Sequence, residues 1–230
     1  MAVALVTGAG SGIGRAVALE LARRGLDVAL VGRTPASLQA TADLARGAAL
    51  GSRTLVVRAD VAVEDDVRRA AADVSSQLGV PQVVVNNAGV AGRKARIEDT
   101  SESEWDALMA VNLRGPFLVT RALLPAMRAA GRGRFVAIAS ISATLGSPGL
   151  APYSASKWGV VGFTKSLAEE LRGSGLQAMA VLPGSVDTPM VAVGGFAPQM
   201  SPADVARVVV FACLDAPDAM NGSAIECFGP

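Results

Sequence analysis

The chain has no histidine, one tyrosine, two cysteines and two tryptophans in 230 residues. Without histidine, Ser-His-Asp triads, imidazole bases and histidine metal ligands are all excluded. Cys213 and Cys227 are too few for a disulfide framework or a zinc cluster. They read as buried free thiols, and no metal site is expected. Acid–base chemistry is left to Tyr, Lys, Asp, Glu or Cys, and Tyr153 is the only phenol. An excess of one charge is lacking too: 21 basic and 20 acidic residues leave a net charge of +1. That balance gives no footprint for nucleic acid or a membrane surface. No apolar run reaches the roughly 18 residues that would span a bilayer. Met1–Thr7 is too short for a signal peptide and runs into a glycine motif without a basic leader. A cytoplasmic location is the default expectation. No Pro/Gly/Ser-rich stretch or charge run divides the chain, so residues 1–230 are expected to form a single domain.

What is abundant is apolar sequence, 51% of residues, enough for a large core. Short apolar runs read as strands at Val3–Thr7, Val28–Val31, Thr54–Val57, Val83–Val85, Phe135–Ala139, Gln177–Leu182 and Ala224–Cys227. Between them, helical periodicity starts near Ile13, Ala36, Glu64, Glu102, Leu113, Pro152 and Pro202. Strand and helix in alternation make a parallel sheet with helices on both faces. The expected fold is a doubly wound, Rossmann-type sheet of about seven strands in a three-layer α/β/α sandwich. Ligands of such folds sit beyond the carboxyl ends of the strands.

After the first strand comes Thr7-Gly8-Ala9-Gly10-Ser11-Gly12-Ile13-Gly14, opening a helix at Arg15-Ala16-Val17. Glycines there let the backbone turn tightly and approach a ligand. The free N–H groups and positive end of the helix attract a pyrophosphate. The spacing departs from G-x-G-x-x-G, because Arg15 stands where the last glycine would be. The second strand ends Val31-Gly32-Arg33-Thr34 without the carboxylate that would hold a ribose 2′-OH, and Asp27 stands at the strand's other end. Arg33 can pair with a 2′-phosphate, so the expected cofactor is NADP(H) rather than NAD(H).

In Pro152-Tyr153-Ser154-Ala155-Ser156-Lys157, Tyr153 and Lys157 are four residues apart and share a helix face. A phenol ordinarily titrates near 10. An adjacent ammonium, with the positive nicotinamide ring also near, would bring it toward neutral pH, where acid–base catalysis works best. Read in order with Asp60-Val61, Asn86-Asn87-Ala88-Gly89, Asn112, Ser140 and Pro183-Gly184-Ser185-Val186-Asp187-Thr188, these motifs make the sequence resemble the short-chain dehydrogenase/reductase family over nearly its whole length.

That resemblance implies a role for each matching position. Ser140 would hydrogen-bond the substrate oxygen, and Tyr153 would give or take the proton. Lys157 would depress the phenol pKa and hold the nicotinamide ribose, and Asn112 would order a water behind it. Gly8, Ser11, Gly12, Ile13 and Gly14 would cradle the pyrophosphate, and Asp60 and Val61 would contact the adenine. Asn87, Ala88 and Gly89 would shape the strand end beside the cofactor. Pro183, Gly184, Val186 and Thr188 would bracket the carboxamide. Ser142 is expected to line the substrate pocket. The uncharged stretch from Pro189 to Met200 suggests an open pocket with Met190, Val191 and Phe196 as apolar contacts. Arg93, Lys94 and Arg96 are cations that could instead recognise an anionic substrate.

The expected activity is therefore hydride transfer between NADP(H) and a small-molecule carbonyl or secondary alcohol. An enoyl reductase would space Tyr and Lys more widely, and the seventh position after Tyr153 is Val160. The other reading is a catalytically idle NADP(H)-binding regulatory or scaffold protein, which would tend to lose the serine, phenol or lysine. Helices from Leu113 and after Tyr153 are apolar around most of their circumference, with Phe117 and Trp158 among them. That pattern predicts a homodimer or homotetramer.

Overall fold

The apolar runs take up a single parallel sheet in a computed structural model that describes residues 2–48, 51–190 and 197–229. Its strands are β1 Val3–Thr7, β2 Asp27–Gly32, β3 Thr54–Arg58, β4 Val83–Asn86, β5 Gly133–Ile138, β6 Leu176–Pro183 and β7 Ala224–Cys227. Their order is β3-β2-β1-β4-β5-β6-β7, and every pairing is parallel. The helices are α1 Gly12–Arg23, α2 Pro35–Ala48, α3 Glu64–Gln77, α4 Glu102–Met109, α5 Gly115–Ala130, α6 Ala151–Glu170 and α7 Pro202–Val210.

Both faces of the sheet are covered, which is why the strands are apolar at consecutive rather than alternate positions. Along β1, Ala4 and Val6 enter a core shared with α1, α2 and α7, through Val17, Leu21, Leu38 and Val205. Val3 and Leu5 enter a second core with α3, α5 and α6, through Val74, Leu123, Met127 and Leu167. The expected three-layer doubly wound fold is the fold observed.

Strand order reverses between β1 and β4. Connections leave these two strands toward opposite faces, and a crevice opens at their carboxyl ends. The helix expected from Leu113 differs in one respect. Helical backbone is continuous from Glu102 to Ala130, and Ala110–Arg114 form a π-helical turn within it. Its length and mean hydropathy of 1.2 would suffice for a membrane span, but Leu118, Leu123 and Met127 pack on the sheet. It is a core helix.

Candidate active site

A cavity of about 330 Å³ lies along the carboxyl edge of the sheet, from the glycine turn to the first turn of α6. Its wall contains Gly8, Ser11, Gly12, Ile13, Arg33, Asp60, Val61, Asn87, Ala88 and Gly89 at one end. Ser140, Tyr153, Lys157, Pro183, Gly184, Val186, Thr188 and Met190 line the other. Of the residues expected at the site, Gly14, Asn112 and Ser142 stand off the wall, and Val191 and Phe196 fall outside the described residues. Gly10 and Thr34, quoted in the motifs but given no role, share the wall, and sequence reasoning missed Ser37 and Ile138, of which Ser37 could have been found by its proximity to Arg33.

The glycine turn is held open by close approaches. Gly8 and Gly12 have φ of +66° and +51°. A Cβ on Gly8 would lie 2.8 Å from Asn87 Nδ2, and one on Gly12 would lie 3.0 Å from Thr188 Cγ2. A Cβ on Gly14 would strike the Gly8 carbonyl and the Asn87 amide, so Gly14 supports the turn from behind. Asn87 is a cross-brace, donating from Nδ2 to Thr7 O at 2.8 Å. Thr7 Oγ1 in turn accepts from the amides of Asn87 and Ala88, each at 3.0 Å. These bonds lock the ends of β1 and β4 together. Ser11 at the α1 N-cap makes no side-chain capping bond, which leaves the first amides of the helix available to an anion.

At the β2 end, exposed Arg33 borders the cavity with Thr34 and Ser37, and β2 itself ends without a carboxylate. Asp27 is at the opposite edge, 1% exposed, and accepts from Arg53 N, Nε and Nη2 at 2.7, 2.9 and 2.7 Å. Burial pushes its carboxyl upward, but the Arg53 bonds outweigh that and hold it below the usual aspartate range. Asp60 folds its own loop by accepting from Ala62 N at 2.9 Å.

At the other end, Ser140 begins a 3₁₀ turn, Ile141–Ala143. Its Oγ accepts from Ser142 N at 3.1 Å, and the hydroxyl lies near enough to the Tyr153 phenol to favour its ionised form. Ser142 is thus a backbone buttress for Ser140 and does not line the pocket as expected, because its side chain is buried behind the turn. Lys157 is 5% exposed. Its Nζ donates to Ile138 O at 2.8 Å and lies 5.7 Å from the Tyr153 ring centroid. Burial lowers its pKa to about 8.

Within the protein itself burial raises Tyr153 above its ordinary 10, and the Ser140 hydroxyl opposes this only in part, so the depression expected from the ammonium together with the nicotinamide ring is not supplied by the protein alone.

Asn112, 1% exposed in the π-helical turn, clamps the chain after β4. Oδ1 accepts from Val90 N at 2.8 Å, and Nδ2 donates to Val90 O at 2.9 Å and Ser156 Oγ at 3.1 Å. Ser156 Oγ donates to Tyr153 O at 2.7 Å. Both amide hydrogens of Asn112 are therefore spent on protein rather than on a water, and they fix α6 against the β4 loop.

The cations near the substrate end are engaged elsewhere. Arg93 bonds Glu104 at 3.0 Å and Asp99 O at 2.7 Å, Arg96 pairs with Glu98 at 3.4 Å, and Lys94 also has a partner. Among the described residues the charged groups on the wall are Arg33, Asp60 and Lys157. No cluster of potential metal ligands exists among the described residues.

Residues 2–194 match the short chain dehydrogenase family. The chain is 43% identical over 190 residues to the 2-(R)-hydroxypropyl-CoM dehydrogenase of Xanthobacter autotrophicus, spanning 82% of this chain and 76% of that one. It is 38% identical over 247 residues to the (3R)-3-hydroxyacyl-CoA dehydrogenase of Canis lupus familiaris, spanning 99% and 95%. Among solved structures, levodione reductase superposes with a TM-score of 0.94 at 30% identity, covering 98% of this chain and 95% of the other. The 3-ketoacyl-(acyl-carrier-protein) reductase of Brucella melitensis, complexed with NADH, superposes at 0.92 and 32% identity, covering 99% and 97%.

Proposed function

The chain belongs to the short-chain dehydrogenase/reductase family and is an oxidoreductase, and from that premise we propose that it moves a hydride between NADP(H) and a neutral carbonyl or secondary-alcohol substrate, with Tyr153 as the general acid/base. One observation carries the proposal. The Ser140–Tyr153–Lys157 cluster and the glycine turn face a single cavity from its two ends. Residues 1–230 are read as one dinucleotide-binding and catalytic unit around that cleft.

The residues fit a dinucleotide. Gly8, Gly10, Ser11 and Gly12 bring bare backbone to the cavity wall, and the uncapped α1 amides suit a pyrophosphate. Arg33, with Thr34 and Ser37 beside it, would take the 2′-phosphate, and Asp60 and Val61 would flank the adenine. Lys157 would hold the nicotinamide ribose, and Pro183, Gly184, Val186 and Thr188 the carboxamide. When bound, the nicotinamide supplies or accepts the hydride. Family fold alone does not choose the phosphate, since the Brucella reductase is complexed with NADH. Support for NADP(H) here is Arg33 and the missing carboxylate at the end of β2.

In the reducing direction the substrate oxygen lies between the Ser140 and Tyr153 hydroxyls. A phenol raised by burial stays protonated at neutral pH and is ready to donate. Its proton passes to the oxygen as negative charge develops there, Ser140 donates a second hydrogen bond, and the Lys157 ammonium stabilises the phenolate left behind. Oxidation reverses each transfer. The occupied Arg93 and Arg96, and a wall whose charged group at this end among the described residues is Lys157 alone, support a neutral, moderately apolar substrate.

On the outside of the molecule, Phe117 on α5 and Trp158 on α6 are 41% and 54% exposed, with Trp105 on α4 also exposed. Large aromatic residues left in water on neighbouring helices support a homo-oligomer built on this face.

A panel of ketones, 3-oxoacyl thioesters and secondary alcohols, followed by NADPH absorbance, tests the proposal. Tyr153→Phe is expected to lower kcat by about 10²–10⁴ while NADPH still binds. Undiminished turnover in that variant would remove Tyr153 from the chemistry. The idle scaffold reading predicts NADPH binding without turnover on any substrate, and retention of Ser140, Tyr153 and Lys157 in contact with the cavity weighs against it.

A further inference from the structure

Arg15, the residue that breaks the G-x-G-x-x-G spacing, makes bonds that no part of the reading above uses. It points back over the glycine turn from the first turn of α1. Nη2 donates a short hydrogen bond to Gly10 O, and Nε donates to Thr41 Oγ1 at 3.1 Å. Thr41, on α2, is fully buried. Its single proton is shared between Ala9 O at 3.0 Å and Ser37 O at 3.1 Å. Two successive carbonyls of the turn, Ala9 O and Gly10 O, are thus both drawn toward α1 and α2.

A trans peptide is planar, with its C=O and N–H pointing in opposite directions. Fixing the Ala9 and Gly10 carbonyls on the helix side therefore turns the Gly10 and Ser11 N–H groups to the other side. Gly10 and Ser11 are on the cavity wall. Neither amide has a protein acceptor among the described residues, whereas Ala9 N is already committed to Val31 O at 3.3 Å. The Arg15 partners are all neutral oxygens, so its charge remains to add positive potential at the end of the helix where an anion would sit.

We propose that Arg15 and Thr41 are positioning residues that aim the glycine-turn amides at the cofactor pyrophosphate and tie that turn to α2. This rests on the dinucleotide reading of the cavity. The roles of the two arginines then separate by phosphate: Arg15 serves the pyrophosphate common to NADH and NADPH, and Arg33 serves only the 2′-phosphate.

The test is equilibrium binding, read by NADPH and NADH fluorescence and by competition with adenosine 2′-monophosphate, which has no pyrophosphate. Arg15→Met and Thr41→Val are each expected to weaken NADH and NADPH alike, by roughly tenfold, the loss of about one charged or buried hydrogen bond. Binding of adenosine 2′-monophosphate stays within about twofold, and Thr41→Ser, which keeps the hydroxyl, restores the affinity. Arg33→Ala shows the opposite pattern, losing NADPH and adenosine 2′-monophosphate but not NADH. Unchanged dinucleotide affinity in folded Arg15→Met and Thr41→Val would overturn the proposal. So would a loss confined to NADPH, or an equal loss of adenosine 2′-monophosphate, which would signal general distortion. Should Arg15→Met fail to fold, the Thr41→Val and Thr41→Ser pair decides alone. Wild-type protein that binds neither dinucleotide would instead sink the underlying reading of the cavity.

Discussion

Replacing Lys157 with methionine is expected to make the protein more stable while abolishing its chemistry. Among the described residues the buried ammonium has no carboxylate partner; its bond is to the Ile138 carbonyl at 2.8 Å. Holding a lysine whose pKa falls from 10.5 to about 8 costs the fold about 3 kcal/mol at pH 7. The sign follows from proton counting. Between pH 8 and 10.5 the unfolded chain keeps a proton on this lysine that the folded chain has lost, so stability rises with pH across that window. By pH 9.5 the remaining cost is about 1.4 kcal/mol. Methionine is of similar length and removes the charge, but it leaves Ile138 O without its donor, a loss of about 1–2 kcal/mol. The net expectation at pH 7 is a gain of about 1–2 kcal/mol, or a Tm rise of about 2–6 °C for a chain of this size. At pH 9.5 the two proteins should melt within a degree or two of each other. Thermal unfolding of both, without cofactor, at the two pH values is the assay. A methionine variant that melts at or below wild type at pH 7, or an advantage that does not shrink at pH 9.5, would refute the reasoning.

Three other perturbations follow from the geometry. Arg53→Met strands the buried Asp27 carboxylate and should lower the unfolding free energy by about 2 kcal/mol, less than a fully buried pair because Arg53 is itself more than half exposed. Asp27 is held low in the wild type, so its contribution is present above the ordinary aspartate pKa and fades in acid. The gap between the two proteins should be full at pH 7 and narrow in acid as Asp27 takes up its proton, as denaturant titrations between pH 7 and 3 would show. Gly14→Ala drives a methyl into the Gly8 carbonyl and should weaken NADPH binding at least about tenfold, readable by fluorescence titration. Phe117→Glu together with Trp158→Glu should leave the fold intact by circular dichroism but yield monomers in sedimentation. An assembly that persists would move the interface elsewhere.

Most of the sheet was legible because its elements are short, buried on two faces and separated by glycine turns. Val3–Thr7 and Ala224–Cys227 have the bounds expected, and the other strands differ by one or two residues at their ends. The start of the fifth helix was not legible. No glycine or proline interrupts residues 102–114, and the π-helical turn there goes with the Asn112 bonds to Val90, a tertiary contact that periodicity does not record. The Tyr153–Lys157 spacing correctly predicted a shared face and a close approach, but not that burial within the protein pushes the phenol the other way. Proximity of a charge is visible in sequence, whereas the degree of burial that outweighs it is a property of the packed chain. The Arg15–Thr41 bond was hidden for the same reason, since its ends are 26 residues apart on different helices.

The two edges of the sheet treat buried charge in opposite ways, and that contrast locates the working edge without reference to any relative. Among the described residues, Asp27 and Lys157 are the ionisable side chains with carboxylate or ammonium groups that count as buried. At the amino edge Asp27 is neutralised by a bidentate guanidinium and a backbone amide. It is a solved electrostatic problem, and it serves stability. At the carboxyl edge Lys157, among the described residues, donates to a carbonyl alone, beside a half-buried phenol, on the wall of the cavity. Selection for stability alone would replace such a lysine with an apolar residue of the same length. A fold that keeps it holds a desolvated ammonium beside the phenol, the usual relation between a perturbed ionisable group and a reactive centre.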